Sequence, residues 1–143
     1  MTTIFRRSLF GLAAIAALSA APAFAETQTY KATLNGTSQV PPVTTKGTGA
    51  LTATYDTATK KLTWSVTYAD LSGPPTAAHF HGPAAAGANA GVVIPQKDGL
   101  ASPMKGEATL TDAQAADLTA GRWYFNIHTD ANKGGEIRGQ VTK

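Results

Sequence analysis

Two alternating runs joined by a short polar turn constrain this chain more than any other feature. Across Gly49–Tyr55, Leu51, Ala53 and Tyr55 alternate with Thr52 and Thr54. Across Lys61–Tyr68, Leu62, Trp64, Val66 and Tyr68 fall on one face. Between them stands Asp56-Thr57-Ala58-Thr59. A period of two lines one face of a strand with apolar side chains, so the segment is expected to be an antiparallel hairpin. Thr29–Leu34 and Gly106–Leu110 read as further short strands. Arg122–Thr129 and Glu136–Thr142 form a second hairpin-like pair around Asp130–Gly135.

One segment breaks the pattern. Thr111–Leu118 has a capping threonine, helix-forming alanines and Gly121 beyond its end, which predicts a helix of about two turns. Thr37–Lys46, with Pro41-Pro42, and the Ala/Gly/Pro-rich Gly82–Gly99 read as loops. The 14 glycines and 8 prolines suit a fold with many turns. The expectation is one all-β domain, an antiparallel Greek-key sandwich or flattened barrel of about seven to eight strands with one short helix.

The N-terminus has the layout of an export signal over residues 1–25. Arg6 and Arg7 precede an apolar run from Leu9 to Leu18, and Ala23-Phe24-Ala25 is a small-x-small cleavage site. The run is shorter than the roughly 20 residues that span a bilayer. Arg6-Arg7-Ser8-Leu9-Phe10 also loosely matches a twin-arginine signal. The mature domain is then residues 26–143, periplasmic or secreted. Removing the segment takes two of the 12 basic residues and none of the 9 acidic ones, so the net charge falls from +3 to +1. A nucleic-acid partner loses its main support, because such binders need a clustered positive face. No second apolar stretch suggests a membrane association after cleavage.

The chain has no cysteine, which excludes disulfides, zinc-thiolate sites, iron–sulfur clusters and thiolate-ligated copper. Its three histidines carry the remaining signal. His79 and His81 are two apart and project to one face, with Phe80 directed to the core. In Trp123–Thr129, Phe125 and Ile127 read as core positions, which places His128 on the opposite face with Tyr124 and Asn126. If the two strands are neighbours, three imidazoles converge outside the core. Two histidines at i, i+2 on a strand suit Cu²⁺ or Zn²⁺, and a third from another strand leaves a position open.

Other residues admit two readings each. Met104 is a soft axial ligand or a core residue, and Asn126 a hydrogen bonder or a ligand. Asp130 turns its loop or orients His128 as an acceptor. Glu136 and Arg138 are two apart on a strand and share a face; they form an exposed pair or a structural clasp for the preceding loop, or Arg138 serves an active site. Gly134-Gly135 permits a turn with positive φ.

On these residues the chain resembles the CHRD domain, the module named for its occurrence in chordin. The likeness is carried by Ala78-His79-Phe80-His81-Gly82-Pro83-Ala84 and by Trp123–Thr129, continuing through Gly134–Gln140. Leu34-Asn35-Gly36, Val40-Pro41-Pro42, Leu110-Thr111 and Leu118 support it. The resemblance covers nearly the whole mature chain and implies an all-β domain of secreted proteins. His79-Phe80-His81 is also similar to the His-x-His strand of copper,zinc superoxide dismutases, Greek-key β-barrels in which those two residues bind copper. That second likeness implies His128 as a third copper ligand and Arg138 as an arginine that attracts superoxide. The chain has no zinc-binding loop with further histidines, so a copper-only variant is implied.

Two expectations of different class follow. One is a metal site on His79, His81 and His128, holding copper, with zinc as the other metal these donors suit. It would serve copper sequestration or tolerance, or superoxide dismutase-like redox chemistry assisted by Arg138. The other is a non-catalytic module that binds a protein or glycan partner and whose histidines are structural.

Overall fold

The computed structural model describes residues 25–143, so the expected export segment lies outside the described residues except for Ala25. Eight strands and one α-helix follow in the order β1 (Thr27–Asn35), β2 (Thr48–Asp56), β3 (Lys61–Ala69), β4 (Pro75–His81), β5 (Val92–Pro95), β6 (Met104–Thr109), α1 (Asp112–Thr119), β7 (Trp123–Thr129) and β8 (Ile137–Val141). All pairings are antiparallel, and the spatial order is β5-β4-β7-β8-β1-β2-β3-β6. The connections β3–β4, β5–β6 and β6–β7 therefore cross between the two halves of the sheet, as in a Greek key.

The expected hairpin is β2–β3, in register from Thr48 opposite Ala69 to Asp56 opposite Lys61. Asp56 shapes its turn: Oδ1 accepts from the backbone N–H groups of Ala58 and Thr59 at 2.9 and 2.8 Å. Alternation delivers one buried face: Leu51, Ala53, Tyr55, Leu62, Trp64 and Val66 join Tyr30, Ala32 and Leu34 of β1 in the core. The helix begins as read. Thr111 Oγ1 accepts from Gln114 N at 3.2 Å, and Gln114 Oε1 accepts from Thr111 N at 2.9 Å. Leu118, fully buried, anchors it to the interior.

The two halves fold face to face. Phe80 of β4 meets the indole of Trp64, from β3, edge-on at 5.1 Å, and packs on Phe125 at 4.9 Å. Burying a ring of this size stabilises by roughly 1.5–3 kcal/mol. The sheet is nearly closed at its edges, β5 and β6. Gln96, just past β5, accepts from Trp64 Nε1 at 2.7 Å and donates to the Lys105 carbonyl of β6 at 2.8 Å. This arrangement is the expected flattened barrel.

The segment Gly82–Gly99, expected as one loop, contains β5. Val92-Val93-Ile94 is β-branched, but it is too short to show an alternation. The rest of that loop is stitched across the outer face of β8, where Gln140 Nε2 donates to the Ala84 carbonyl at 2.8 Å and Arg138 to the Ala88 carbonyl at 2.6 Å, and to the β1–β2 loop, where Asn89 Nδ2 donates to the Val40 carbonyl at 2.9 Å. Consequently β7 is buried on both faces, with Tyr124 and Asn126 3% exposed on the outer one. Among the described residues no helix is long and apolar enough to cross a membrane.

Candidate metal centre

β4 and β7 pair directly, with His79 opposite Asn126, His81 opposite Tyr124 and Ala77 opposite His128. Phe80 and Phe125 turn inward, so alternation places His79, His81, Tyr124, Asn126 and His128 together on the outer face. One ring nitrogen from each histidine lies within 4.8 Å of the others. His79 Nδ1 and His128 Nε2 are 3.2 Å apart. The convergence expected from the two strand patterns is present.

The loops orient two of the rings. His81 Nδ1 lies 3.0 Å from the Ala90 carbonyl, and His128 Nδ1 lies 2.8 Å from the Lys133 carbonyl. A carbonyl oxygen only accepts, so each Nδ1 donates its hydrogen and each Nε2 keeps a lone pair. His81 also stacks on Tyr124, with ring centroids 4.8 Å apart and planes 2° from parallel. Burial pushes the His79 imidazole below its ordinary pKa, helped by the charges of His128 and His81. Burial likewise lowers His81, against the Ala90 carbonyl and Asn126 side chain that raise it. Both shifts favour the neutral ring, the form that binds a metal.

The spacing suits one ion. With metal–nitrogen bonds of about 2.0–2.1 Å, two ligands sit about 2.9 Å apart at a right angle and about 3.4 Å apart at the tetrahedral angle. The 3.2 Å between His79 and His128 falls in that range. Ligands on opposite sides of an ion reach about 4.2 Å, so a pair at the 4.8 Å limit would have to close by roughly half an ångström to share one.

The remaining candidates fall elsewhere. Arg138 is 1% exposed and lies beyond Tyr124, its guanidinium 3.4 Å from that ring's centroid. It donates to Asn89 Oδ1 at 2.9 Å and to the Ala88 carbonyl at 2.6 Å, holding down the loop that carries Ala90. Because β7 lies between β4 and β8, Arg138, Tyr124 and His81 form a stack across the sheet. Glu136 occupies a bend before β8, and no ion pair joins it to Arg138, so the shared strand face is not realised. Its carboxylate binds Thr45, Ser72 and Thr129 instead, the structural clasp of the alternative reading. Asp130 is exposed, and the acceptor that orients His128 is the Lys133 carbonyl. Met104 is a core residue, 1% exposed on the inner side of the sheet. Of the two glycines, Gly135 takes the positive φ, +116°. An added Cβ there would overlap the Gln39 carboxamide and meet Asn126 Nδ2 at 2.8 Å.

Sequence reasoning missed the two carbonyls, because any residue supplies one. Tyr124 was legible as a neighbour of His128 on the outer face, but its stacking on His81 depends on cross-strand register.

Fold and site together define an antiparallel β-domain with three imidazoles converging on its outer face. The family model of the CHRD domain matches residues 30–141, from β1 to the end of β8. The chain belongs to the CHRD domain family. No curated protein and no solved structure matches it, so the likeness to copper,zinc superoxide dismutases rests on His79-Phe80-His81.

Proposed function

We propose that this protein is an exported CHRD domain that holds one copper ion on His79, His81 and His128, for copper sequestration or tolerance or for superoxide dismutase-like chemistry. The observation that carries the reading is the convergence of the rings: one nitrogen of each histidine lies within 4.8 Å of the others, and two Nδ1 atoms are committed to backbone carbonyls, which leaves their Nε2 atoms as the donors. Copper leads zinc by the usual affinity order for nitrogen donors. When bound, it supplies one-electron redox chemistry. The chain's own residues aim the ring nitrogens, with Phe80 and Phe125 fixing the strands beneath.

Calorimetry with Cu²⁺ on tag-free residues 26–143 tests this. Stoichiometric binding that disappears in His81→Ala is expected; no heat, or equal heat in both proteins, contradicts it. Dismutase activity of the copper-loaded protein above that of free copper supports the enzymatic role, and its absence leaves sequestration.

A groove of about 650 Å³ between β5, β6 and α1, lined by residues including Trp64, Ile94, Lys97 and Glu107, favours a second reading, an interaction module. In that case His81→Ala leaves partner capture intact, whereas Lys97→Glu, an exposed change in the groove lining, abolishes it.

A further inference from the structure

Asn126 faces His79 across the β4–β7 ladder and is 3% exposed. Its Oδ1 lies 3.0 Å from His81 Nε2 and 3.0 Å from His128 Nε2. Both rings already donate through Nδ1, to Ala90 and Lys133. In this orientation of the amide its oxygen lone pairs face the two Nε2 atoms. Acceptors opposed at this distance repel one another, and a cation among them reverses the sign. The 3.0 Å separations also match ligands sharing an ion at close to a right angle.

We infer that Asn126 is the fourth donor of the site, its carboxamide oxygen completing an N₃O set with His79, His81 and His128. The inference rests on the metal reading above. A half-turn of the amide gives the complementary empty state: two N–H groups of Nδ2 then serve the two Nε2 lone pairs. The surroundings suit both orientations. Asn126 Nδ2 and the Gln39 carboxamide both lie against Gly135, where the missing side chain leaves room. Gln39 is 5% exposed and its Nε2 has no partner. The amide is thus a ligand when the site is loaded and a latch when it is empty.

The test titrates wild type, Asn126→Leu and Asn126→Asp, each as residues 26–143, with Cu²⁺ alone. Electron paramagnetic resonance then reads the ligand set, with D₂O exchange to detect equatorial water. Wild type is expected to show three nitrogens and no exchangeable equatorial water. Asn126→Leu is expected to bind about tenfold or more weakly and to gain one exchangeable water. Asn126→Asp is expected to bind about tenfold or more tightly, with a shifted copper spectrum, because a carboxylate replaces a neutral oxygen. Urea unfolding checks that the variants are folded; if Asn126→Leu is not, Asn126→Asp decides. Variants matching wild type in affinity and spectrum overturn the Asn126 assignment and leave the histidine site standing. Wild type that binds no copper overturns the metal reading itself.

Discussion

Replacing Glu136 by glutamine is expected to destabilise the domain by about 3 kcal/mol at neutral pH. Glu136 is fully buried, and burial alone would raise its carboxyl pKa. Hydrogen bonds outweigh that: Ser72 Oγ at 2.5 Å, Thr45 Oγ1 at 2.6 Å, Thr129 Oγ1 at 2.7 Å and Ser72 N at 2.8 Å all donate to it. Together they hold the group down from 4.5 to about 2. At about 1.4 kcal/mol per pH unit, that difference corresponds to about 3 kcal/mol favouring the folded state. A depressed carboxyl contributes fully above its unfolded value of 4.5, and the contribution fades as pH falls toward 2. Glutamine imitates the protonated acid, so wild type and Glu136→Gln should differ at pH 7 and converge near pH 2. Urea unfolding followed by tryptophan fluorescence, repeated from pH 7 to pH 2, reads both features; Trp64 and Trp123 are buried reporters. A difference below about 1 kcal/mol at pH 7, or one that does not narrow below pH 4.5, refutes the reasoning. The clasp also bears on the centre, because the loop between Thr129 and Glu136 delivers the Lys133 carbonyl to His128.

Copper affinity should be level from about pH 8 to about pH 6.5 and fall below that, since His79 and His81 have pKa values beneath 6.5 and protons compete for the same lone pairs; a level calorimetric profile down to about pH 5 contradicts histidine ligation. Phe80→Ala should cost about 3–5 kcal/mol in urea unfolding, because it empties the contact between the halves, and a cost under about 1 kcal/mol contradicts that packing. Gly135→Ala should lose at least about 1–2 kcal/mol from the φ of +116° and bind copper more weakly through displacement of Asn126; unchanged stability and affinity contradict the close approach. The exported product should begin at Glu26 by mass spectrometry, and a start far from it contradicts the signal reading.

The β2–β3 hairpin and the inward Phe80 and Phe125 were legible in the sequence as period-two patterns, and the helix was legible by its capping threonine. His79, His81 and His128 were legible for the same reason, since alternation assigns a face without knowledge of the partner strand. What alternation does not supply is register. It left open that His79 stands opposite Asn126, which brings Oδ1 to both Nε2 atoms. Backbone acceptors were invisible too, because the carbonyls of Ala90 and Lys133 owe nothing to their side chains. Glu136 was read as part of the strand that follows, whereas the bend at Gly135 releases it toward Ser72 and Thr129.

The most direct test of the copper centre is a crystal structure of residues 26–143 soaked in a copper salt, with anomalous data at the copper edge. The account predicts one ion on the outer face of β4 and β7, about 2.0–2.1 Å from a ring nitrogen of each of His79, His81 and His128. An ion bound away from these rings, or none at saturating copper with all three nitrogens still converged, would contradict it.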